Sequence, residues 1–200
     1  VVFERATVKI INADINIPQV KIAYIEGAGD KVDESLQQIG LNITTIAPEA
    51  ITLNELKKYE AVVIGVRAYN TSKVLADNQS ILMQYVNEGG LVITQYNTNW
   101  DMYTEIIGPY PFKIKRGRVT DENSPVDFLL PEHSVLNTPN KLTKADFDGW
   151  IQERGIYFAE ELAPEYVSPL AFTDPNEKPQ SGSLIIADYG KGAFMYTGIA

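Results

Sequence analysis

Cysteine is absent from the 200 residues of the chain, and histidine occurs once. The absence of cysteine excludes disulfides, thiolate metal ligands and cysteine nucleophiles, although it leaves the redox compartment undecided. One imidazole, that of His133, cannot form a zinc site built from several histidines, and it is the single candidate for histidine-based catalysis. We therefore predict no metal site and no cofactor.

Positive charge is also scarce, with 17 lysines and arginines against 26 aspartates and glutamates and a formal net charge of -9. Nucleic-acid-binding proteins need a basic surface, and anionic membrane surfaces attract basic segments. No run of about 18 apolar residues occurs, so no membrane-spanning helix is predicted. Nucleic acid and membrane insertion are therefore not among the expected partners.

The middle of the chain carries the clearest pattern. Residues 61–65 and 91–94 are short apolar runs, typical of strands buried on both faces of a parallel sheet. Between them, apolar residues recur at helical spacing over residues 74–86, interrupted at Asn78, and the Gly89-Gly90 pair follows where a helix ends. This pattern predicts a strand, a helix and a second, parallel strand.

Strand and helix patterns also alternate before this unit. Residues 21–27 are typical of a buried strand, and Asp30 suits the N-cap of a following helix. Residues 42–47 are the next strand candidate, and Thr52 with Glu55 forms a capping-box pattern. The alternation predicts an α/β fold, a flavodoxin-like doubly wound and mostly parallel sheet.

The pattern changes after this region. Residues 100–148 are irregular and rich in proline, glycine, tyrosine and charge, which is typical of a functional loop or a small subdomain. Strand-like stretches follow at residues 155–159, 168–173, 183–189 and 193–199. Glycines 190 and 192 predict an antiparallel hairpin between the last two. We expect residues 1–20 to be a linker or an edge strand from a preceding domain, and residues 21–200 to form one domain.

Several stretches resemble known families. YEAVVIGVRAYN and LMQYVNEGGLVITQYNTN resemble the class I glutamine amidotransferase-like fold, closest to its ThuA (trehalose-utilisation) branch, and SLIIADYGKGAFMYTGI is similar to that branch's final hairpin. Five stretches resemble the domain that follows the catalytic domain in some LmbE-like deacetylases, namely GAGDKVDESLQQIG, NEGGLVITQYNTN, GPYPFKI, DFDGWIQERGIYFA and YGKGAFMYTGIA. Those enzymes belong to the PIG-L (N-acetylglucosaminyl-phosphatidylinositol de-N-acetylase) family. The resemblance implies an accessory domain of a longer protein.

The catalytic residues of both families are missing. Class I amidotransferases place a cysteine on the turn after the strand that corresponds to residues 91–94, whereas this chain has Gln95 and Tyr96 there. The short His/Asp motif of the deacetylase catalytic domain is also missing. We therefore expect a non-catalytic accessory domain of a larger LmbE/PIG-L-like protein, which binds a carbohydrate or another small polar ligand, or packs on its own upstream catalytic domain.

Two alternative functions stay open. The first is a carbohydrate-active hydrolase that uses carboxylates and His133, and the second is a structural module for homo-oligomerisation, which the ThuA-like resemblance also implies. The chain starts without methionine and ends within an apolar pattern, which we interpret as a fragment of a longer protein. The narrower resemblance implies export to the periplasm, while a cysteine-free chain is equally compatible with the cytosol.

Ligands of such sheets bind beyond the carboxyl ends of the strands. Planar amides, aromatic rings and a forked cation follow the two central strands, and they suit hydroxyl-rich or carboxylate ligands. These candidates are Arg67, Tyr69, Asn70, Gln95, Tyr96, Asn97 and Asn99. The alternative is that they tether the long irregular segment by hydrogen bonds.

A glycine-rich loop, Gly27-Ala28-Gly29, follows the first predicted strand and resembles a phosphate-binding loop. Glu26 and Asp30 flank it with negative charge, and the third glycine of the dinucleotide pattern is replaced by Val32. Tight-turn glycines with a helix cap are the better interpretation. Glu26 and Asp30 stay candidates for contact with a polar ligand.

Catalytic candidates lie farther along the chain. His133 has Glu132 as a sequence neighbour and is a candidate general base, with a loop-anchoring role as the alternative. Asp146 and Asp148 are candidates for glycosidase-type acid/base chemistry.

Aromatic and turn residues give further candidates. Trp150 is a candidate for stacking on a sugar, in an acidic-aromatic cluster that also contains Glu153, Arg154 and Tyr157, and a capped turn packed into the core is the alternative. Residues 174–177 (DPNE) offer oxygen ligands for calcium, and a type I turn is the simpler explanation.

Overall fold

Strands and helices alternate in the first half of the computed structural model, which describes residues 14–199, and short strands follow. The strands are β1 (Lys21–Ile25), β2 (Asn42–Thr45), β3 (Ala61–Ile64), β4 (Leu91–Gln95), β5 (Lys113–Ile114), β6 (Arg118–Val119), β7 (Val126–Phe128), β8 (Gly155–Ile156), β9 (Ala159–Glu160), β10 (Leu170–Phe172), β11 (Leu184–Tyr189) and β12 (Gly192–Thr197). The helices are α1 (Val32–Gln38), α2 (Leu53–Leu56), α3 (Ala68–Thr71), α4 (Lys73–Asp77) and α5 (Gln79–Asn87). Within residues 14–199, no helix is long and apolar enough to cross a bilayer.

Six strands form the central sheet, in the order β11-β12-β4-β3-β1-β2. The pairs β1–β2, β1–β3, β3–β4 and β4–β12 are parallel, and β11 is an antiparallel edge strand beside β12. This arrangement confirms the predicted doubly wound, mostly parallel sheet and the closing antiparallel hairpin. The edge-strand pattern of residues 1–13 lies outside the described residues, and residues 14–20 belong to no strand or helix.

Alternate residues of the central strands face two different helical layers, as the period of two in a strand requires. On one face, apolar strand residues pack against α2, α4 and α5 through Leu56, Leu75, Leu82 and Val86. On the other face, a smaller cluster packs against α1 through Val32 and Leu36. Burying each large apolar side chain contributes roughly 1.5–3 kcal/mol, so these two layers position the strand ends.

The predicted single helix over residues 74–86 is wrong, because Asn78 divides it into α4 and α5. The Asn78 backbone N–H donates to the carbonyls of Val74 and Leu75, both at 3.1 Å, and its side-chain Nδ2 donates to the carbonyl of Pro48 at 3.2 Å. An asparagine whose side chain bonds to a backbone group outside the helix favours a helix end over a helix interior. The apolar stripe continues across the break, which is why its periodicity predicted one helix.

Residues 100–183 form a second layer around their own hydrophobic cluster. Three two-stranded antiparallel ladders pair β5 with β9, β6 with β8, and β7 with β10. The cluster's buried members are Val119, Val126, Leu136, Phe147, Phe158, Leu170 and Phe172. The predicted continuous strand over residues 155–159 is wrong, because a left-handed backbone at Tyr157 (φ 59°) separates β8 from β9.

Candidate functional site

The carboxyl ends of β3 and β4 meet at one edge of the sheet, and buried Asn97 joins the loops that leave them. Its Oδ1 accepts the backbone N–H of Tyr69 at 3.0 Å, and its Nδ2 donates to the carbonyl of Gln95 at 3.0 Å. The Tyr69 ring is fully buried, and its hydroxyl donates to Oε1 of Gln79. Burial raises the pKa of Tyr69, so its hydroxyl stays neutral.

A second asparagine ties the start of the irregular segment to the same edge. Asn70 Oδ1 accepts the backbone N–H of Thr98 at 3.0 Å, and its Nδ2 donates to the carbonyl of Trp100 at 2.8 Å. Both asparagine amides are therefore engaged at oxygen and at nitrogen. These are the hydrogen bonds that the tethering alternative requires, while ligand binding by Tyr69, Asn70 and Asn97 stays a prediction.

Asp30 connects the loop after β1 to the loop after β3. Its Oδ2 accepts the backbone N–H of Val66 at 3.0 Å, and its Oδ1 accepts the Tyr24 hydroxyl and the backbone N–H of Val32 at 3.1 Å. The predicted N-cap position of Asp30 is one residue too early, because Lys31 occupies it without a side-chain cap. Asp30 nevertheless supplies the capping hydrogen bond from the position before.

The glycine loop after β1 has a structural explanation. A Cβ on Gly27 would lie 2.0 Å from the carbonyl oxygen of Val66, and Gly29 has a φ of 86°. Close approach and a left-handed turn therefore account for both glycines. A small cleft of about 140 Å³ lies beside the loop, lined by Tyr24, Glu26, Gly27, Gly29, Asp30 and Asp33. Its carboxylates oppose phosphate binding.

The Tyr24 hydroxyl joins this cleft to the loop after β4, because Nε2 of Gln95 donates to it at 3.2 Å. Burial and the Asp30 carboxylate both raise the pKa of Tyr24. The position where the amidotransferase resemblance implies a nucleophile therefore carries an amide that is hydrogen-bonded to a neutral phenol. Across residues 14–199, no group of three or more histidines, aspartates or glutamates could hold a metal ion.

Three aromatic rings from two segments, the loop after β4 and the turn between β8 and β9, lie together beside this edge, and we call them the aromatic ladder (Tyr96, Trp100 and Tyr157). Tyr96 and Tyr157 are stacked with ring centroids 5.8 Å apart, and Trp100 meets Tyr157 edge-on at 5.6 Å. Trp100 is 48% exposed, whereas Tyr157 is buried. The backbone N–H of Arg67 donates to the Tyr96 carbonyl at 2.8 Å, so this exposed cation belongs to the same edge. Trp100 was not among the predicted ligand-binding residues.

Trp150 and Arg154 lie in the second layer and contact each other. The Arg154 guanidinium, 3% exposed, donates to the carbonyl of Ser124 at 3.0 and 3.2 Å and to the carbonyl of Phe147. It lies 5.2 Å from the ring centroid of Trp150, whose Nε1 donates to the carbonyl of Asp146 at 3.0 Å. Burial lowers the pKa of Arg154. These contacts match the packed-turn alternative, and sugar binding here stays a prediction.

The predicted catalytic residues have local structural contacts. His133 Nδ1 accepts the backbone N–H of Val135 at 3.2 Å and caps a short 3-10 turn. Asp146 Oδ2 accepts the backbone N–H and the hydroxyl of Thr143 at 2.6 and 2.9 Å, which forms a capping box. Asp148 is exposed. Nothing in these contacts activates a nucleophile or a water molecule, and a catalytic role stays a prediction.

Asp174 is a buried anchor whose role the sequence did not reveal. Its two carboxylate oxygens accept four hydrogen bonds from residues 120–124, at 2.8, 2.9, 3.0 and 3.0 Å. Burial alone would raise the pKa of Asp174, but these hydrogen bonds outweigh it and lower the pKa below its ordinary value. The predicted type I turn is wrong in type, because Asn176 has a φ of 65°, as the third position of a type II turn requires.

Comparison with known proteins gives structural neighbours. No family model and no curated protein matches the chain. A cytoplasmic protein from Salmonella typhimurium LT2 is similar in structure, with a TM-score of 0.59 and 13% identity over 90% of this chain and 87% of that chain. A Thermoplasma acidophilum protein named as a component of GMP synthase has a TM-score of 0.52 and 10% identity over 92% of this chain and 85% of that chain.

A cold-adapted β-galactosidase from Rahnella sp. R3 contains the same fold as part of a longer chain. It matches 92% of this chain with a TM-score of 0.54 and 14% identity, and the match spans 29% of its own length. Identities this low show the fold alone. Together the neighbours confirm the flavodoxin-like, class I glutamine amidotransferase-like fold, while the LmbE/PIG-L context stays a prediction.

Proposed function

We propose that this chain is a non-catalytic accessory module of a larger LmbE/PIG-L-like deacetylase-family protein, and that its strand-end edge holds a carbohydrate without transforming it. The observation that carries the proposal is the loop after β4. Its Gln95 donates to the Tyr24 hydroxyl, and its Asn97 bridges to the loop after β3. An edge whose polar groups are bonded to one another is rigid, which suits holding a ligand better than moving protons.

The structural neighbours support a module within a longer protein. In the Rahnella β-galactosidase, the matched region makes up 29% of the chain, so the fold is compatible with a place inside a large enzyme. The enzyme's substrate is a property of that protein, and it motivates testing carbohydrates here. The five short stretches that resemble the domain following the catalytic domain of LmbE-like deacetylases support the assignment to that protein family.

The test compares the chain alone, the full-length protein and a full-length variant that lacks residues 21–200. Deacetylation of N-acetylglucosamine oligosaccharides is the readout. We expect activity in the full-length protein, a weaker activity at low substrate concentration in the deletion variant, and none in the chain alone.

Turnover by the chain alone, lost in His133→Ala or Asp148→Asn, would contradict the proposal and favour the hydrolase alternative. Asp188→Asn, an exposed carboxylate on β11, is the matched control for a nonspecific effect of charge. Equal activity of the full-length protein and the deletion variant at all substrate concentrations would also contradict an accessory role in substrate binding.

A further inference from the structure

The aromatic ladder ends in the indole of Trp100, whose backbone is held in place by hydrogen bonds. The carbonyl of Trp100 accepts hydrogen bonds from Nδ2 of Asn70 at 2.8 Å and from Oγ1 of Thr98 at 2.9 Å. The ring is held edge-on by Tyr157, whose own carbonyl accepts the buried Tyr196 hydroxyl at 2.6 Å. Despite these contacts, 48% of Trp100 is exposed. A positioned aromatic side chain that stays half open presents a ready surface for a ligand.

Three of the six non-glycine residues with a positive φ within residues 14–199 lie at or beside the ladder. Arg67, Asp101 and Tyr157 adopt left-handed φ values of 57°, 54° and 59°. Such values are unfavourable for residues other than glycine, above all for a bulky aromatic residue, and they persist only where the surroundings enforce them. All three residues lie at the ladder or next to one of its members. Strain of this kind is common at ligand-binding sites and supports a functional role for the ladder.

The charged groups near the ladder are of both signs. Arg67 is exposed at one side, and half-buried Glu153 lies close enough that its charge helps to raise the pKa of Tyr96, after burial as the larger cause. Arg67 opposes that rise. A guanidinium, a phenol and a carboxylate together can donate and accept hydrogen bonds with hydroxyl groups. With a net charge of -9 on the whole chain, a neutral ligand fits better than an anionic one.

We propose that Trp100, backed by Tyr157 and Tyr96, is a stacking subsite for the apolar face of a neutral pyranose ring in a β-linked glycan, with Arg67 contacting its hydroxyls. A β-linked pyranose with equatorial hydroxyls exposes C–H groups on its ring face, which pack on an indole. The inference rests on the proposed carbohydrate-holding role and names the residues and the ligand class. It also replaces Trp150 as the expected stacking residue, because Arg154 covers the Trp150 ring.

The test is a titration followed by ¹H–¹⁵N NMR, with tri-N-acetylchitotriose as the probe and trigalacturonate as an anionic comparator. The chain has two tryptophans, so its spectrum contains two indole signals, and the Trp150 indole serves as an internal reference. We expect chitotriose to shift the Trp100 indole with a Kd of about 1 mM and to leave Trp150 unchanged. Trigalacturonate should bind more weakly.

Variants separate stacking from a general effect on the loop. Trp100→Ala should raise the Kd about tenfold, and Trp100→Phe should retain part of the affinity. Tyr103→Ala is the matched control, since Tyr103 is an aromatic residue of the same loop and is 56% exposed. It should leave the Kd unchanged, and the dispersion of each variant's spectrum verifies folding.

No shift of the Trp100 indole at about 20 mM chitotriose would overturn the subsite. Equal losses in Trp100→Ala and Tyr103→Ala, or tighter binding of trigalacturonate, would overturn its assignment to a neutral sugar on Trp100. Signals of a cleaved or deacetylated product would instead contradict the non-catalytic role while leaving the subsite in place. The two proposals therefore fail in distinguishable ways.

Discussion

The central sheet and the second layer reach a defined structure by different means. The sheet of residues 21–95 and the β11–β12 hairpin bury apolar side chains on both faces. Residues 100–183 contain strands of only two or three residues, which form short ladders around a smaller cluster. Buried polar groups add order in that layer, where Arg154 and Asp174 bind backbone atoms of distant loops. The central sheet thus depends on its hydrophobic pattern, whereas the second layer combines a hydrophobic cluster with a few polar anchors.

Removal of the Arg154 anchor should have the largest effect on stability. Arg154→Met should lower the free energy of unfolding by about 3 kcal/mol, because the carbonyls of Ser124 and Phe147 lose their buried donors. Urea denaturation measures the change, and hydrogen exchange should show the loss of protection in residues 113–172 before that in the central sheet. Arg116→Ala, at an exposed position, is the control and should change stability by less than about 0.5 kcal/mol. If residues 113–172 and the central sheet lost hydrogen-exchange protection together, the proposed difference between the two layers would be wrong.

The Asp174 carboxylate should make stability depend on pH. Its folded pKa is lowered, so its contribution is fully present above the unfolded pKa of about 3.9 and is lost as the pH falls through the folded value. Asp174→Asn should cost about 2 kcal/mol at pH 7 and should flatten the decline in stability below about pH 4. Urea midpoints measured from acid to neutral pH test this. An unchanged acid decline in the variant, or the same flattening in the exposed Asp188→Asn, would be evidence against it.

Loss of the bridge between the strand-end loops should have a smaller effect. Asn97→Ala removes the acceptor for the Tyr69 N–H and should destabilise the protein by about 1–2 kcal/mol. Asn99→Ala is a matched control, because Asn99 is exposed in the same loop and should be near neutral. Thermal unfolding compares the two. If both variants unfold at the wild-type temperature, the tethering interpretation of this edge is wrong.

The smallest effect concerns one backbone conformation. Gly29 has a φ of 86° with no atom within 4 Å of where a Cβ would lie, so Gly29→Ala measures the cost of the left-handed turn alone. We expect a loss of about 1 kcal/mol in urea denaturation. Asp101→Gly, at a φ of 54°, should change stability in the opposite direction by up to about 1 kcal/mol. If Gly29→Ala and Asp101→Gly changed stability in the same direction, the expected cost of a left-handed conformation in a non-glycine residue would be wrong.

Local sequence patterns predicted the central sheet. The second layer was harder to predict, because it depends on contacts between residues far apart in the chain. The strands at residues 61–65 and 91–94, the Thr52 cap and the final hairpin follow from neighbouring residues, and each is present. The contacts that define the second layer join residues far apart, such as Arg154 with Ser124, 30 residues away, and Asp174 with Ser124, 50 residues away. Periodicity does not reveal such pairs. The aromatic ladder was hidden for the same reason, since it joins Tyr157 to the distant loop that carries Tyr96 and Trp100.

The most direct test of the account is one NMR experiment on the chain incubated with tri-N-acetylchitotriose, because it reports binding and chemistry together. We predict a saturable shift of the Trp100 indole, an unchanged Trp150 indole and no new sugar signals after prolonged incubation. Product signals that disappear in His133→Ala, or a Trp100 indole that never moves, would contradict it.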